Sequence, residues 1–405
     1  MKLAPFIATA LVCAPTLALA QEASPQERAR IERILRRTPL IDGHNDVPWE
    51  IRDSHANELA NVDLNADTRQ LTPPMHTDIP RLRRGYVGGQ FWSVYVPASV
   101  NGLDHTRQVM EQIDLTRRMI AQYPRAFEYA ESADDIVRIH RAGRIASMIG
   151  IEGGEAIQDN LALLRQFHAM GALYMTLTHG ENTAWVDSAT AAPQHGGLTP
   201  FGEEVVREMN RIGMLVDLSH VSADAMRDAL AVAQAPVIFS HSSAFAVAHH
   251  PRNVPDDVLA LVRENGGVVM VNFTSPFINE NFRQWAARRS GAEAEHRALN
   301  PGDPTAAAAG LAAWEAQNPA PAVNVGHVAD HIEHIVETAS YDNVGLGADY
   351  DGVTYLPENL GGVDGYTNLL AELIRRGWSD QNIAKLAGGN LLRALRQAER
   401  VAAES

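Results

Sequence analysis

Met214-Leu215-Val216-Asp217-Leu218-Ser219-His220, a helical stretch over 223–233, then Pro236-Val237-Ile238-Phe239-Ser240-His241 decide the fold. Both apolar runs lack the polar alternation of a half-exposed strand, as strands buried on two faces do. The stretch between them is long enough for the crossover helix that joins parallel strands. Both runs also leave their strand on a histidine. Working outward, similar runs occupy 40–43, 90–96, 145–151 and 172–178 on one side and 267–273 and 343–347 on the other. Helical patterns at 201–212, 256–264 and 328–339 separate the later runs. Eight strand–helix alternations predict a (β/α)8 barrel. A doubly wound sheet fits less well, because no Gly-rich phosphate turn follows the first run.

The reading makes 21–405 one domain. Residues 25–37 form an amphipathic helix leading into it. The polar stretch 50–84, with Pro73 and Pro74, is expected to be an extended first loop. The Ala-, Arg-, Glu- and Pro-rich stretch 282–323 is expected to be a partly helical insertion, serving as a lid or a homodimer contact.

With 34 Lys and Arg against 49 Asp and Glu, the net charge of −15 argues against a nucleic-acid binder and leaves no polybasic segment for anionic membranes. Lys2, an apolar run towards Leu19 and the small-x-small site Ala18-Leu19-Ala20 predict a signal peptide over 1–20, cleaved after Ala20. The run is too short and alanine-rich to span a membrane. The expected location is periplasmic or secreted. Cys13, the single cysteine, lies inside that segment. The mature chain would offer neither disulfide nor thiolate ligand.

The ionisable residues gather at strand exits. His44 and Asp46 follow the first run, Glu152 the third, His179 the fourth, His220 the fifth, His241 the sixth and Asp349 the eighth. In a parallel barrel these exits share one mouth, the face where barrel enzymes place their chemistry. Taken singly, each has a plainer reading. Gly43-His44-Asn45-Asp46 could be a turn, Glu152 a solvated residue in a glycine-rich loop, and each histidine a satisfied core residue. Their agreement in position favours a metal site. His44 and Asp46, two apart on an extended segment, would project from one face. A carboxylate such as Glu152 can bridge two cations, so these five residues could hold two metals sharing a hydroxide. Imidazole and carboxylate without sulfur fit zinc better than manganese or cobalt.

Ile41-Asp42-Gly43-His44-Asn45-Asp46, Gly150-Ile151-Glu152-Gly153-Gly154, Leu177-Thr178-His179, Gly197-Leu198-Thr199-Pro200-Phe201-Gly202, Asp217-Leu218-Ser219-His220-Val221-Ser222, Ser240-His241-Ser242-Ser243-Ala244, Arg252-Asn253-Val254-Pro255-Asp256 and Gly347-Ala348-Asp349-Tyr350-Asp351-Gly352 together resemble the renal (membrane) dipeptidase family of the amidohydrolase superfamily. The resemblance runs from about residue 40 to 395, in family order. It implies a (β/α)8 barrel with two Zn2+ per chain and dipeptidase activity, including tolerance of a D-residue at the C-terminal end. It implies that His44, Asp46 and Glu152 hold one zinc, and Glu152, His220 and His241 the other. His179 and Arg252 would bind substrate, and Asp349 would carry protons, with Asp351 as its rival. The sequence departs from the mammalian members in lacking their cysteines and C-terminal lipid-anchor signal, and in a longer segment before Val328.

On chemical grounds, a hydroxide shared by two cations would attack the peptide carbonyl while Asp349 moves a proton to the leaving amine. Arg252 could pair bidentately with a free substrate carboxylate, which would select dipeptides. The rivals are a related amidohydrolase cleaving N-acyl amino acids and a non-catalytic binding protein. His249 and His250 could line the pocket. His168, His195, His331 and His334 read as structural or solvated. Trp49 and Trp185 could wall the mouth or pack beneath it.

Overall fold

The computed structural model describes residues 22–100 and 102–405, so the expected leader lies outside the described residues. Nine parallel strands form one sheet among them: β1 (Leu40–Asn45), β2 (Val87–Tyr95), β3 (Phe127–Tyr129), β4 (Ile145–Glu152), β5 (Ala172–Thr176), β6 (Leu215–Asp217), β7 (Ile238–Phe239), β8 (Val268–Val271) and β9 (Val344–Leu346). Neighbours run β2-β1-β9-β8-β7-β6-β5-β4, and the register from Gly89 opposite Ala146 to Tyr95 opposite Glu152 joins β2 back to β4. The ring is closed. It is an eight-stranded barrel of the (β/α)8 kind, and its eight strands are the eight apolar runs of the sequence.

The ninth strand, β3, was not anticipated. It pairs with residues 145–147 of β4, whereas β5 pairs with 149–152. Inside the barrel Ile41, Phe91, Met148, Tyr174, Leu215, Ile238 and Met270 belong to one buried cluster, so the lumen is packed rather than open.

Local chemistry sets the helices. Thr199 caps Pro200–Ile212 by accepting from the Gly202 amide, Pro200 opens that helix, and Gly213 ends it at φ 84°. Ser222 caps Ala223–Val232 in the same way. The expected extended loop after β1 is a correction. It opens with a helix, Val47–Ser54, and closes with another, Ile79–Arg84. The second is pinned to the segment before it by Arg81, a buried residue that pairs with Asp78 at 2.6 Å and donates to Thr68 Oγ1 and to the Met75 carbonyl. A polar sequence read as loop is therefore folded around a buried ion pair.

Beyond β8, helices Glu280–Leu299 and Pro304–Gln317 pack on one another through Trp285 and Trp314 and an Arg289–Glu315 pair of 2.6 Å. Phe282 ties them to the barrel by packing on Tyr355. They leave from the strand exit, at the same end as the ionisable cluster. No helix among the described residues is long and apolar enough to cross a membrane.

Candidate active site

The seven ionisable residues converge at the C-terminal mouth. Glu152, the last residue of β4, is central. Its Oε2 lies 3.3 Å from His44 Nε2, and its Oε1 lies 3.0 Å from His220 Nε2 and 3.4 Å from His241 Nε2. One carboxylate thus turns one oxygen towards each of two donor groups. His44 Nε2 is also 3.3 Å from Asp46 Oδ2, and His220 and His241 bring their Nε2 atoms to 2.8 Å. Three sets of potential ligands follow: His44, Glu152 and His241; Glu152, His179 and His220; and His44, Asp46 and Asp349.

The approach of His44 and Asp46 has a different origin from the strand pleat expected. Asp46 has left the strand at φ −97°, ψ 20° and precedes the first turn of Val47–Ser54. The strand-to-helix bend folds its carboxylate back towards His44. His220 and Asp349 occupy left-handed backbone at φ 70° and 66°. Such strain in residues other than glycine concentrates at functional sites, where surrounding structure enforces it.

The donor chemistry fits a divalent cation. His44 Nδ1 lies 3.0 Å from the Tyr174 hydroxyl, whose proton goes to the Gly43 carbonyl at 3.1 Å. Nδ1 must therefore carry the ring proton, which leaves a lone pair on Nε2. That atom and Asp46 Oδ1 are buried without a hydrogen-bond partner among the described residues. A lone pair facing two carboxylates is repulsive unless a positive charge lies among them. Burial opposes charge on His44, yet Tyr174, Glu152 and Asp46 outweigh it and raise its pKa well above the ordinary value, so in the absence of a cation the ring answers the two carboxylates with a second proton on Nε2, the position a metal would take. Burial and the neighbouring Arg252 and imidazoles hold His220 and His241 well below theirs. They stay neutral, the form that ligates metal.

Arg252 lies under the same mouth, 3% exposed, and pairs with no carboxylate within salt-bridge distance among the described residues. It donates to Ser242 Oγ at 3.4 Å and to the His241 carbonyl at 3.3 Å, and it faces the Phe277 ring at 5.6 Å. Burial lowers its pKa only to about 10, so it remains a cation at neutral pH. His179 stacks between Tyr95 and His220 and keeps part of its ring exposed. Asp349 accepts from Asn272 Nδ2 at 2.8 Å, and burial pushes its carboxyl well up.

Asp351 is turned away. It accepts the His76 amide at 2.6 Å and lies outside the cavity that Asp349 lines. That cavity, about 260 Å³, also borders Trp49, Tyr95, Phe277, Gly352 and Val353. It is slightly smaller than the usual ligand site, which spans about 300–1,000 Å³.

Trp185 packs beneath the mouth, 1% exposed. His250 stacks on Phe277 just behind the cavity wall, while His331 is a core residue that donates to the Ile278 carbonyl and accepts the Ala244 amide. His168 and His195 each meet a backbone carbonyl, and His334 meets Asp256. Tyr95 and Phe277 were missed in the sequence. Tyr95 ends β2 and Phe277 follows β8, the two strand exits of the barrel to which no ionisable residue had been assigned, and those gaps were the available signal.

The membrane dipeptidase family, peptidase family M19, matches residues 28–405. The chain belongs to this family. It is a peptide-bond hydrolase of the dipeptidase class, as the resemblance in its motifs implied. Solved structures share its fold. The probable dipeptidase PvdM from Pseudomonas aeruginosa superposes with a TM-score of 0.79 at 23% identity, over 93% of this chain and 100% of that one. A metallo peptidase from Rhodobacter sphaeroides, liganded with a phosphinate mimic of the dipeptide L-Ala-D-Ala, gives 0.71 at 23%, over 89% and 99%. A dipeptidase described as a metallo peptidase of family M19 gives 0.71 at 24%, over 89% and 99%.

Proposed function

We propose that this M19 family member is an exported, zinc-dependent dipeptidase with two cations per chain. His44, Asp46 and Glu152 would hold one, and Glu152, His220 and His241 the other. The observation that carries the substrate assignment is Arg252, a buried cation beside the metal-ligand cluster that pairs with no carboxylate among the described residues. An unpaired buried charge is costly, and a substrate carboxylate offsets that cost. Arg252 would grip the C-terminal carboxylate and the cavity leaves little room beyond one scissile bond, so dipeptides are favoured over longer peptides.

Two divalent cations bound in this cluster would supply Lewis acidity and a water that loses its proton near neutral pH. The chain's own groups do the rest. His179, beside Glu152 and partly exposed, donates to the carbonyl oxygen as negative charge develops there. Asp349 takes the proton from the attacking water and delivers it to the leaving amine, which conserves protons across the cycle. Burial raises its affinity for that proton. The Rhodobacter sphaeroides relative with its L-Ala-D-Ala mimic supports extending the substrate range to dipeptides ending in a D-residue.

The test is a panel of L,L- and L,D-dipeptides, tripeptides, C-terminally amidated dipeptides and N-acyl amino acids offered to the metal-replete protein. Free dipeptides should be cleaved fastest. Inactivity on every dipeptide, or a preference for N-acyl amino acids, would overturn the reading. Export rests on the first twenty residues, and the N-terminus of the mature protein should be Gln21.

A further inference from the structure

The segments Asp217-Leu218-Ser219-His220 and Ser240-His241-Ser242 carry a carboxylate and three hydroxyls that the reaction does not use. Asp217, at the end of β6, is fully buried, as is Ser240. Asp217 Oδ1 accepts the amides of Ser219 at 3.1 Å and Ser240 at 2.8 Å. Its Oδ2 accepts the hydroxyls of Ser240 at 2.6 Å and Thr176 at 2.5 Å. The short Ser240–Asp217 bond commits the serine's only proton to the carboxylate. Ser240 Oγ, 2.8 Å from His241 Nδ1, is therefore left as an acceptor for the ring N–H. The main chain is held as well, because the His241 amide donates to Ser219 Oγ at 3.0 Å.

We propose that Asp217, acting through Ser240, is a positioning residue that keeps the His241 ring proton on Nδ1 and so presents the Nε2 lone pair to a metal. The proposal rests on reading His241 as a metal ligand. A ligating imidazole needs its second nitrogen to donate, and the partner it donates to fixes both tautomer and ring plane. Here that partner is an uncharged serine polarised by a carboxylate that touches neither the metal nor the substrate. Asp217→Asn would reverse the chain. The amide N–H would donate to Ser240 Oγ, Ser240 would donate to His241 Nδ1, and the ring proton would move to Nε2, where it blocks ligation. Ser240→Ala would remove the acceptor and leave Nδ1–H buried and unpaired.

Asp217 also ties together the exits of β5, β6 and β7, so a purely structural role has to be separated. The experiment titrates chelator-stripped wild type, Ser240→Ala, Asp217→Asn and His241→Ala with zinc against a chromophoric competitor. Metal-free melting temperatures and the imidazole 15N spectrum of the metal-free proteins are recorded alongside.

Ser240→Ala and Asp217→Asn should each weaken one of two zinc equivalents by about 10–100-fold and spare the other. Metal-free Ser240→Ala should melt near metal-free wild type. The resonance pair absent from His241→Ala should show a protonated Nδ1 in wild type and a protonated Nε2 in Asp217→Asn. Wild-type affinity in Ser240→Ala alongside lost affinity in His241→Ala would overturn the positioning role. So would equal weakening of both equivalents in a destabilised metal-free protein. Unchanged affinity in His241→Ala would instead remove the ligand reading beneath it, and the proposal with it. If Asp217→Asn does not fold, Ser240→Ala decides alone.

Discussion

Asn272 donates its amide N–H to Asp349 Oδ2 over 2.8 Å, while its own oxygen is held by the Thr274 amide at 2.5 Å. The amide cannot flip without losing the second bond, so it aims one carboxylate oxygen and leaves the other facing the mouth. General acid–base groups contribute about 10²–10⁴-fold to rate. Asn272→Ala should lower kcat about 10-fold with little change in KM, because the proton carrier remains but is loosely held. Asp349→Asn should lower kcat by at least about 10²-fold and retain both metals. Steady-state kinetics with metal analysis checks both, and wild-type turnover in Asp349→Asn would discard it as the proton carrier.

Arg252 provides a sharper substrate test. Removing a buried charge-assisted pair costs about 2–4 kcal/mol, and each 1.4 kcal/mol is tenfold. Arg252→Met should lower kcat/KM for free dipeptides by about 30–1,000-fold and leave slow cleavage of amidated dipeptides nearly unchanged. An unaltered preference for the free carboxylate would take Arg252 out of the site.

Gly352 lies against the cluster. A Cβ built there would meet Asp46 Oδ2 at 2.2 Å and Asp349 Oδ1 at 2.8 Å. Gly352→Ala should displace both carboxylates, lose metal from the His44–Asp46 side and abolish turnover, yet melt cooperatively because the barrel strands are untouched. Full metal content with normal kinetics would contradict the placement of Asp46 in the metal shell.

Away from the site, Glu27 joins the first helix, Pro25–Leu35, to Arg375 at 2.8 Å. Burial works to raise its pKa, but hydrogen bonds from Arg375 and Ser24 prevail and hold it at about 2, below the ordinary glutamate value. A depressed carboxylate stabilises the fold above its unfolded pKa and loses that contribution as pH falls towards the folded value. Glu27→Gln should therefore be less stable than wild type by about 1 kcal/mol at pH 6, after allowing for solvent screening. The two curves should converge between about pH 4.5 and pH 2. Denaturant melts across that range check it, and a constant gap would show that the lost contact is not the charge.

The barrel was legible because its strands are buried on both faces. Runs such as 145–151 are apolar but for Ser147, and once the strands are parallel, each exit residue must share one mouth. His44, Glu152, His179, His220, His241 and Asp349 could be placed on that argument alone. Other features left no comparable trace. β3, Phe127–Tyr129, is three residues long with a glutamate at its centre. The helix at Val47–Ser54 was hidden by the polar stretch that begins inside it and by a first turn that lacks a side-chain cap. The left-handed backbone at His220 and Asp349 runs against residue preference, and sequence reading fails where a site imposes strain. Tyr174, Asn272 and Asp217 act through hydrogen bonds between residues 23 to 131 positions apart, which no local pattern encodes.

The central claim is that two cations held by His44, Asp46, Glu152, His220 and His241 are needed for dipeptide cleavage. Its most direct test is a zinc titration of chelator-stripped protein followed simultaneously by bound metal and by hydrolysis of a free dipeptide. Activity should be absent at the start, rise with added zinc and reach its plateau at two bound equivalents per chain. Full activity in the stripped protein, or a plateau reached with no zinc bound, would contradict it.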